Sequence, residues 1–190
     1  MKKFFAILLT ASVSMVLASP IRAIEDQDPV GTLTVGAHML AVPGFGFNVF
    51  GDYVLVDSWW IGHFTVGAQL AYNAYSASNT TSAMGLTMTT HYHASRFIFT
   101  PRATYGVNIL PQLEVHAGFL AGLGYEDCRA TVTSGNVTTA TETEPGPGIR
   151  LVVGNILGAR YFFTDTFGAS LELNYANYMP WVNAGVAFRF

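Results

Sequence analysis

Arginine and glutamate residues recur in the carboxyl-terminal half at spacings that would place them on one face of neighbouring extended segments. If short turns join those segments, Arg160 and Arg189 both lie diagonal to Glu172, and Arg96 lies diagonal to Glu126. Charges that face each other away from water must pair, and bidentate guanidinium–carboxylate contacts reduce the cost of burying them. The spacing therefore predicts a network of Arg160, Glu172 and Arg189 and a pair of Arg96 with Glu126, both stabilising the fold without catalysing a reaction.

Two other groups of residues could bind metals or form covalent bonds. His91 and His93 share one face of an extended segment, but a firm metal site needs three or four ligands, which makes this an incomplete pair. The single cysteine, Cys128, has no partner for an internal disulfide. We therefore expect no metal, no cofactor and no internal disulfide.

The elements that must position these side chains are β-strands. In the last ten residues, Val182, Val186, Phe188 and Phe190 take one parity and mostly polar or small residues take the other. This period of two is the signature of a strand with two different faces. Similar segments along the chain predict eight strands, at residues 31–41, 46–56, 60–75, 91–107, 113–126, 149–163, 167–177 and 181–190.

The start of the chain has the pattern of an export signal. A basic segment at residues 1–3 precedes an apolar run at residues 4–18 that is short for a membrane-spanning helix. We predict a signal peptide at residues 1–23, with cleavage after Ala18 as the alternative. Residues 24–190 then hold six arginines, no lysine and 12 acidic residues, a formal net charge of −6. That balance excludes a polybasic surface for nucleic acids or anionic lipids.

The sequence after the predicted signal peptide lacks an apolar segment long enough for a transmembrane helix, and this decides the predicted fold class. No uninterrupted apolar run of about 18 residues occurs there, so no transmembrane helix is expected. A closed β-barrel is the other structure that satisfies every backbone hydrogen bond in lipid. Eight is an even number of strands, as in bacterial outer-membrane barrels. The sequence predicts an all-β fold, an eight-stranded antiparallel up-and-down transmembrane β-barrel at residues 24–190, with a soluble β-sandwich as the alternative.

The connections predict an uneven outer rim. Residues 76–90 and 127–148 are rich in Ser, Thr, Asn and Gly and are predicted to be long loops, whereas residues 42–45 and 178–180 are brief. The rim should therefore be tallest over the second and third outer loops. Asn155 falls on the apolar parity of its strand, which predicts a bulge or a change of register there.

The opposite parity of each strand predicts which side chains face the lumen. An eight-stranded barrel is only just wide enough to be filled by its inward side chains, so charges of both signs should pair there rather than line an open channel. Leu40, Phe50 and Leu120 share the inward parity and form the predicted path of an apolar solute. The polar and charged members of the inward set are His38, Asp52, His63, Gln69, Asn73, Arg96, Arg102, Glu114, His116, Arg150, Arg160, Glu172, Asn174, Asn183 and Arg189.

Three segments carry a family resemblance, at residues 121–125, 160–165 and 179–190. They resemble the small eight-stranded outer-membrane barrels, the OmpA-, OmpX- and OmpW-like proteins, and the Pro-Trp-Val entry into the last strand is most similar to the OmpW branch. Gly185 followed by Phe188 and Phe190 resembles the signal by which the barrel-assembly machinery recognises its substrates. The resemblance implies a location in the bacterial outer membrane, with lipid around the barrel.

The resemblance implies two alternative functions. The OmpW branch implies a narrow channel for small hydrophobic solutes. The alternative is a non-conducting barrel that displays its outer loops for adhesion to a host surface ligand or for another surface interaction. His93-x-Ser95 is similar to the His-x-Ser of barrel enzymes that deacylate lipid A, but Arg96 replaces the Asn of that motif and no Glu near Tyr105 completes a triad. We therefore expect no enzymatic activity.

Overall fold

The computed structural model describes residues 28–41, 44–83, 86–134, 137–142 and 147–190. The predicted signal peptide at residues 1–23 lies outside this part of the chain. Among the described residues, none forms a helix long and apolar enough to cross a bilayer. Within the described ranges, the regular structure consists of nine strands: β1 (Leu33–Ala41), β2 (Phe45–Trp59), β3 (Gly62–Ala83), β4 (Leu86–Leu110), β5 (Leu113–Ser134), β6 (Val137–Glu142), β7 (Gly148–Phe162), β8 (Phe167–Ala176) and β9 (Val182–Arg189).

The strands close into a ring of antiparallel pairs. The order around the ring is β1, β2, β3, β4, β5, β7, β8 and β9, and β9 pairs again with β1. In the described part of the chain, β6 pairs with the far portion of β5 alone and lies outside the ring. The predicted eight-stranded antiparallel up-and-down barrel is therefore confirmed, and all eight predicted strands are present.

The two parities of each strand face different surroundings. In β5, Glu114, His116 and Leu120 are buried, whereas Phe119 and Leu123 are exposed. β8 alternates in the same way along its length. Charged and amide side chains thus fill the interior and large apolar side chains cover the outside, which is the reverse of a soluble protein. A closed ring with an apolar outer face is the arrangement that spans a bilayer.

Aromatic side chains mark both ends of the outer face. Tyr and Trp rings are favoured at the two membrane interfaces, where one side of the ring is apolar and the other is wet. The exposed members are Tyr53, Trp59, Trp60 and Tyr161 near the end that holds Phe190, and Tyr72, Tyr92, Tyr125, Tyr175, Tyr178 and Trp181 towards the opposite end. We term these the terminal end and the distal end of the barrel.

The distal end is uneven, as predicted. β1 has 9 residues and β9 has 8, whereas β3, β4 and β5 have 22, 25 and 22. The last partner of β3 on β2 is at Ala74, so residues 75–83 continue beyond the neighbouring strand. At about 3.3 Å per residue, this extension is roughly 30 Å of strand.

The prediction that residues 76–90 and 127–148 are long loops is wrong. Most of these residues extend β3, β4 and β5 or form β6, and together they make a four-stranded raised sheet at the distal end. Their polar composition resembles that of a loop, but threonine has a high β propensity. Cross-strand hydroxyl contacts support the pairing, since Thr80 Oγ1 lies 3.2 Å from Thr89 Oγ1.

The predicted irregularity in the strand at residues 149–163 is also absent. β7 pairs with β5 and with β8 without a shift of register, and Asn155 lies opposite Phe119 and Tyr175 on the outward parity. A single outward amide leaves the pairing intact because the alternation of the whole strand sets its register. Register shifts occur instead in β2 between Val54 and Trp59, in β4 between Asn108 and Leu110, and in β5 between Val132 and Thr133.

Glycine permits the closest approach between β9 and β1. A Cβ atom at Gly185 would lie 1.9 Å from the carbonyl oxygen of Ala37, so no larger residue fits without moving the backbone. Gly51 is different, because a Cβ atom there would lie 3.7 Å from its nearest neighbour, a methyl group of Val35. Gly185 is therefore needed where the ring closes.

Candidate functional site

A network of charged side chains fills the lumen towards the terminal end. Arg102 lies 3.0 Å from Glu172, and its Nε donates to Asp52 Oδ1 at 2.7 Å. Arg160 contacts Asp52 and lies 3.2 Å from Glu114 and 3.5 Å from Glu172. Each of these five side chains, here termed the lumen network, is at most 3% exposed. Three carboxylates therefore share two guanidinium groups away from water.

Histidines extend the lumen network on both sides. His116 lies 3.1 Å from Glu114 and 3.2 Å from Glu172, so its ring bridges two carboxylates. His38 Nε2 lies 2.9 Å from the hydroxyl of Ser170. Both rings are buried. Each carboxylate of the network thus has several partners, as buried charges require.

The structure brings Arg160 and Glu172 together but not Arg189, so the predicted pairing of Arg189 with Glu172 is wrong. Glu172 lies opposite Asn183 on β9, and Arg189 is six residues further along that strand, about 20 Å at 3.3 Å per residue. Arg189 instead lies 2.8 Å from Asp28, with its guanidinium 4.2 Å from the centre of the Phe162 ring. The β8–β9 turn sets this register, and its geometry cannot be inferred from turn length.

Phe50 packs against the lumen network rather than in an apolar path with Leu40 and Leu120. Its ring stacks on His38 at 4.8 Å between centroids, and the guanidinium carbons of Arg102 and Arg160 lie 4.5 Å and 5.1 Å from its centre. A ring face attracts cations in this way. The predicted grouping is wrong because Phe50 lies on β2 at the level of the charges.

An apolar cluster lies on the distal side of the lumen network and contains both predicted leucines, Leu40 and Leu120. Met179 reaches it from the β8–β9 turn, and Gln69 Nε2 lies 3.6 Å from its sulfur. All members are at most 3% exposed. We term this cluster the apolar cap, and its members are Leu40, Ala71, Ile98, Leu120, Val152, Ile156 and Met179.

The predicted pair of Arg96 and Glu126 is present at the distal mouth of the lumen. Arg96 Nη2 lies 2.7 Å from Glu126 Oε1, and Arg150 approaches the other oxygen at 3.5 Å. The Arg96 guanidinium carbon also lies 5.1 Å from the ring centre of Tyr75 and 5.5 Å from that of Tyr178. Ionic and aromatic contacts thus lie over the apolar cap.

The terminal end holds a group of potential metal ligands that the sequence patterns did not reveal. One ligand atom each from Asp28, His63 and Glu114 lies within 4.8 Å of the others, and all three residues are buried. Asn108 Nδ2 donates to Asp28 Oδ1 at 3.3 Å. No spacing signal could have found this group, because Asp28 precedes β1 and meets β3 and β5 only across the closed lumen.

The exposed imidazoles of His91 and His93 lie on the raised sheet. Among the described residues, the group at the terminal end is the one set of three close metal ligands, and neither of these two histidines belongs to it. Ser95 lies opposite Asp127 on β5. The Asp127 carboxylate accepts a hydrogen bond from Arg129 at 3.2 Å.

No protein-family model and no curated protein sequence matches the chain. Among solved structures, it is similar to the N-terminal β-barrel domain of Pseudomonas aeruginosa OprF, at 18% identity and a TM-score of 0.48, over 85% of this chain and 98% of that chain. It is also similar to Ail, the attachment invasion locus protein of Yersinia pestis, at 13% identity and a TM-score of 0.42, over 85% and 100%. The chain is also similar to Neisserial surface protein A, at 15% identity and a TM-score of 0.34, over 83% of this chain and 94% of that chain.

The closed ring and the inverted distribution of side chains decide the class of protein. The chain is an eight-stranded β-barrel of the kind that spans a membrane. Its strands form one closed sheet whose outer face is apolar, which is what the hydrocarbon core of a bilayer requires. Membership of the OmpW branch stays a prediction.

Proposed function

We propose that this protein is a closed outer-membrane barrel that presents its raised sheet to binding partners outside the cell. The observation that carries the proposal is an open sheet edge. Residues 75–83 of β3 pair with β4 on one side, and in the described part of the chain they have no strand on the other. The free backbone N–H and C=O groups of such an edge can pair with an added strand from a partner.

The composition of this edge supports the same proposal. Proteins commonly protect exposed edges with charged residues, proline or bulges. Residues 76–83 contain only Ser, Ala, Asn and Thr. Their pairing with β4 is regular to Ala83. An extended polypeptide segment is therefore the class of partner that this edge suits best.

The filled lumen supports a non-conducting barrel. The lumen network and the apolar cap are stacked along the axis, and each member of both is at most 3% exposed. Ions would have to cross the apolar cap, and apolar solutes would have to cross the buried charges. Either passage requires a rearrangement of tightly packed side chains.

The test is to shorten the hairpin of the raised sheet in register. Ala77 pairs with Tyr92 and Ser82 with Thr87, so removal of residues 77–82 and 87–92 leaves the remaining β3–β4 pairs aligned. Residues 130–142 are removed as well, because residues 130–134 of β5 would otherwise lose their partners on β4 and present a new open edge. Bacteria that produce the shortened chain should lose adherence to cultured epithelial cells, while the control Ser82→Ala with Thr87→Ala should retain it because its backbone edge is intact. Equal adherence of the shortened chain and the full chain would refute the proposal.

A narrow channel for small hydrophobic solutes is the second candidate. The apolar cap favours it, because Leu40 and Leu120 would line such a path once the turn that carries Met179 moved away. The purified, refolded chain in a planar bilayer should show no ionic conductance if the barrel is closed. Discrete openings that a hydrophobic solute blocks would favour the channel and count against the closed barrel.

Two further partners are proposed from the last strand and the outer face. Gly185, Phe188 and Phe190 fit recognition by the barrel-assembly machinery, and Phe190 is 70% exposed. The exposed apolar side chains around the ring fit contact with outer-membrane lipid. Both contacts concern assembly and anchoring and do not distinguish the two candidate functions.

A further inference from the structure

We propose that the terminal end of the lumen binds one divalent cation, with Zn²⁺ as the best match, through Asp28, His63 and Glu114. One ligand atom from each residue lies within 4.8 Å of the others. The three residues are 6%, 1% and 2% exposed, so they face one another rather than solvent. One imidazole with two carboxylates is a ligand set that suits Zn²⁺ better than Ca²⁺ or Mg²⁺, which prefer oxygen ligands alone.

Glu114 Oε1 lies 4.0 Å from His63 Nε2, and the contacts of Glu114 are uneven between its two oxygens. Glu114 Oε1 lies 3.2 Å from Arg160 and 3.1 Å from His116. Glu114 Oε2 is fully buried and has no hydrogen-bond partner in the described part of the chain. A buried carboxylate oxygen without a partner is unfavourable. A bound cation would supply the missing partner.

The contacts of Asp28 orient its carboxylate for the same role. Asp28 Oδ1 accepts hydrogen bonds from Asn108 at 3.3 Å and from Arg189 at 2.8 Å. Partners that orient a ligating carboxylate commonly strengthen metal binding.

The bound cation would connect three separate parts of the chain. Asp28 precedes β1, His63 lies on β3 and Glu114 lies on β5. These residues meet only in the folded barrel, so binding stabilises the folded state by mass action. The role is structural, at the end of the lumen where the chain enters the barrel.

The test uses the refolded barrel in detergent micelles, freed of metal with a chelator and titrated with Zn²⁺ and separately with Co²⁺. We expect one Zn²⁺ per chain and a visible Co²⁺ spectrum typical of four-coordination. His63→Gln should weaken Zn²⁺ binding by about tenfold or more. The matched control, His91→Gln with His93→Gln, should bind as the wild type does. Absence of binding by the wild type, or loss of binding in the control alone, would overturn the proposal.

A second variant keeps the test decisive if His63→Gln does not fold. In a Cys128→Ser background, His63→Cys places a thiolate at the proposed site. If the site binds metal, Co²⁺ should then give a near-ultraviolet charge-transfer band that the Cys128→Ser protein lacks. A folded His63→Cys protein without that band would show that residue 63 is not a ligand.

Discussion

Replacing Arg160 with Met should destabilise the barrel by about 3–5 kcal/mol, the usual effect of removing one partner from a buried ion pair. Arg160 is 1% exposed and contacts Asp52, Glu114 and Glu172. Methionine is unbranched and uncharged, so it fills much of the same space. Asp52 and Glu172 would then keep the guanidinium group of Arg102, whereas Glu114 would keep His116 and no guanidinium partner.

The expected loss of stability follows from the burial of Arg160, and the exposed Arg129 provides a matched control. Arg160→Met removes one positive charge from the lumen network at a place that water does not reach. Arg129 also contacts a carboxylate, that of Asp127 at 3.2 Å, but its side chain is 68% exposed. Arg129→Met should therefore cost less than about 1 kcal/mol.

The assay is urea unfolding of the refolded barrel in lipid, followed by tryptophan fluorescence. Trp59, Trp60 and Trp181 are exposed on the outer face, so their emission changes when they leave the lipid. With a slope of about 2 kcal/mol per molar urea, the midpoint for Arg160→Met should fall by about 2 M. Adding Glu172→Gln removes one negative charge, which restores the original balance of the network, and should recover about 1–3 kcal/mol. A loss as small as that of Arg129→Met would refute the reasoning, because it would mean that water solvates the lumen network.

Three other experiments test the closure of the ring at Gly185, the burial of Cys128 and the assembly of the barrel in cells through Phe190. Gly185→Val should leave no folded barrel, measured as the folded band on a gel, whereas Gly51→Ala should fold normally. Equal yields of folded barrel from the two variants would contradict the close approach of β9 to β1. Cys128 is buried, so a water-soluble maleimide should label the folded barrel at least about tenfold more slowly than the unfolded chain, and equal rates would contradict its burial. Phe190→Ala should reduce assembly in cells without moving the urea midpoint of the refolded barrel; unchanged assembly would count against its role in the assembly signal.

The sequence was sufficient for the fold class because its main signal is local. Alternation in β5 and β8 assigns each side chain to one of two faces without knowledge of the partner strand. The inward positions of Glu114, His116 and Glu172 were predictable for this reason. The contacts of Arg160 with Glu172 and of Arg96 with Glu126 were also predictable, because short or regular hairpins connect their strands.

Composition was a weaker guide than alternation at the distal end. Residues 76–90 and 127–148 are polar enough to be predicted as loops, yet most of them are paired in the raised sheet. Threonine is both a polar residue and a strong β former, so its abundance does not distinguish a loop from an exposed strand. Only the pairing partner decides between them.

Contacts across the lumen depended on the tertiary structure. Arg189 pairs with Asp28 rather than Glu172, Phe50 lies among arginines, and Asp28 meets His63 beside the lumen network. Each of these contacts depends on the register accumulated around the whole ring, and those of Asp28 depend also on the position of the segment before β1. The sequence by itself determined which side chains enter the lumen, because strand alternation is local. The tertiary structure alone decided which of them meet, because ring closure is a property of all eight strands together.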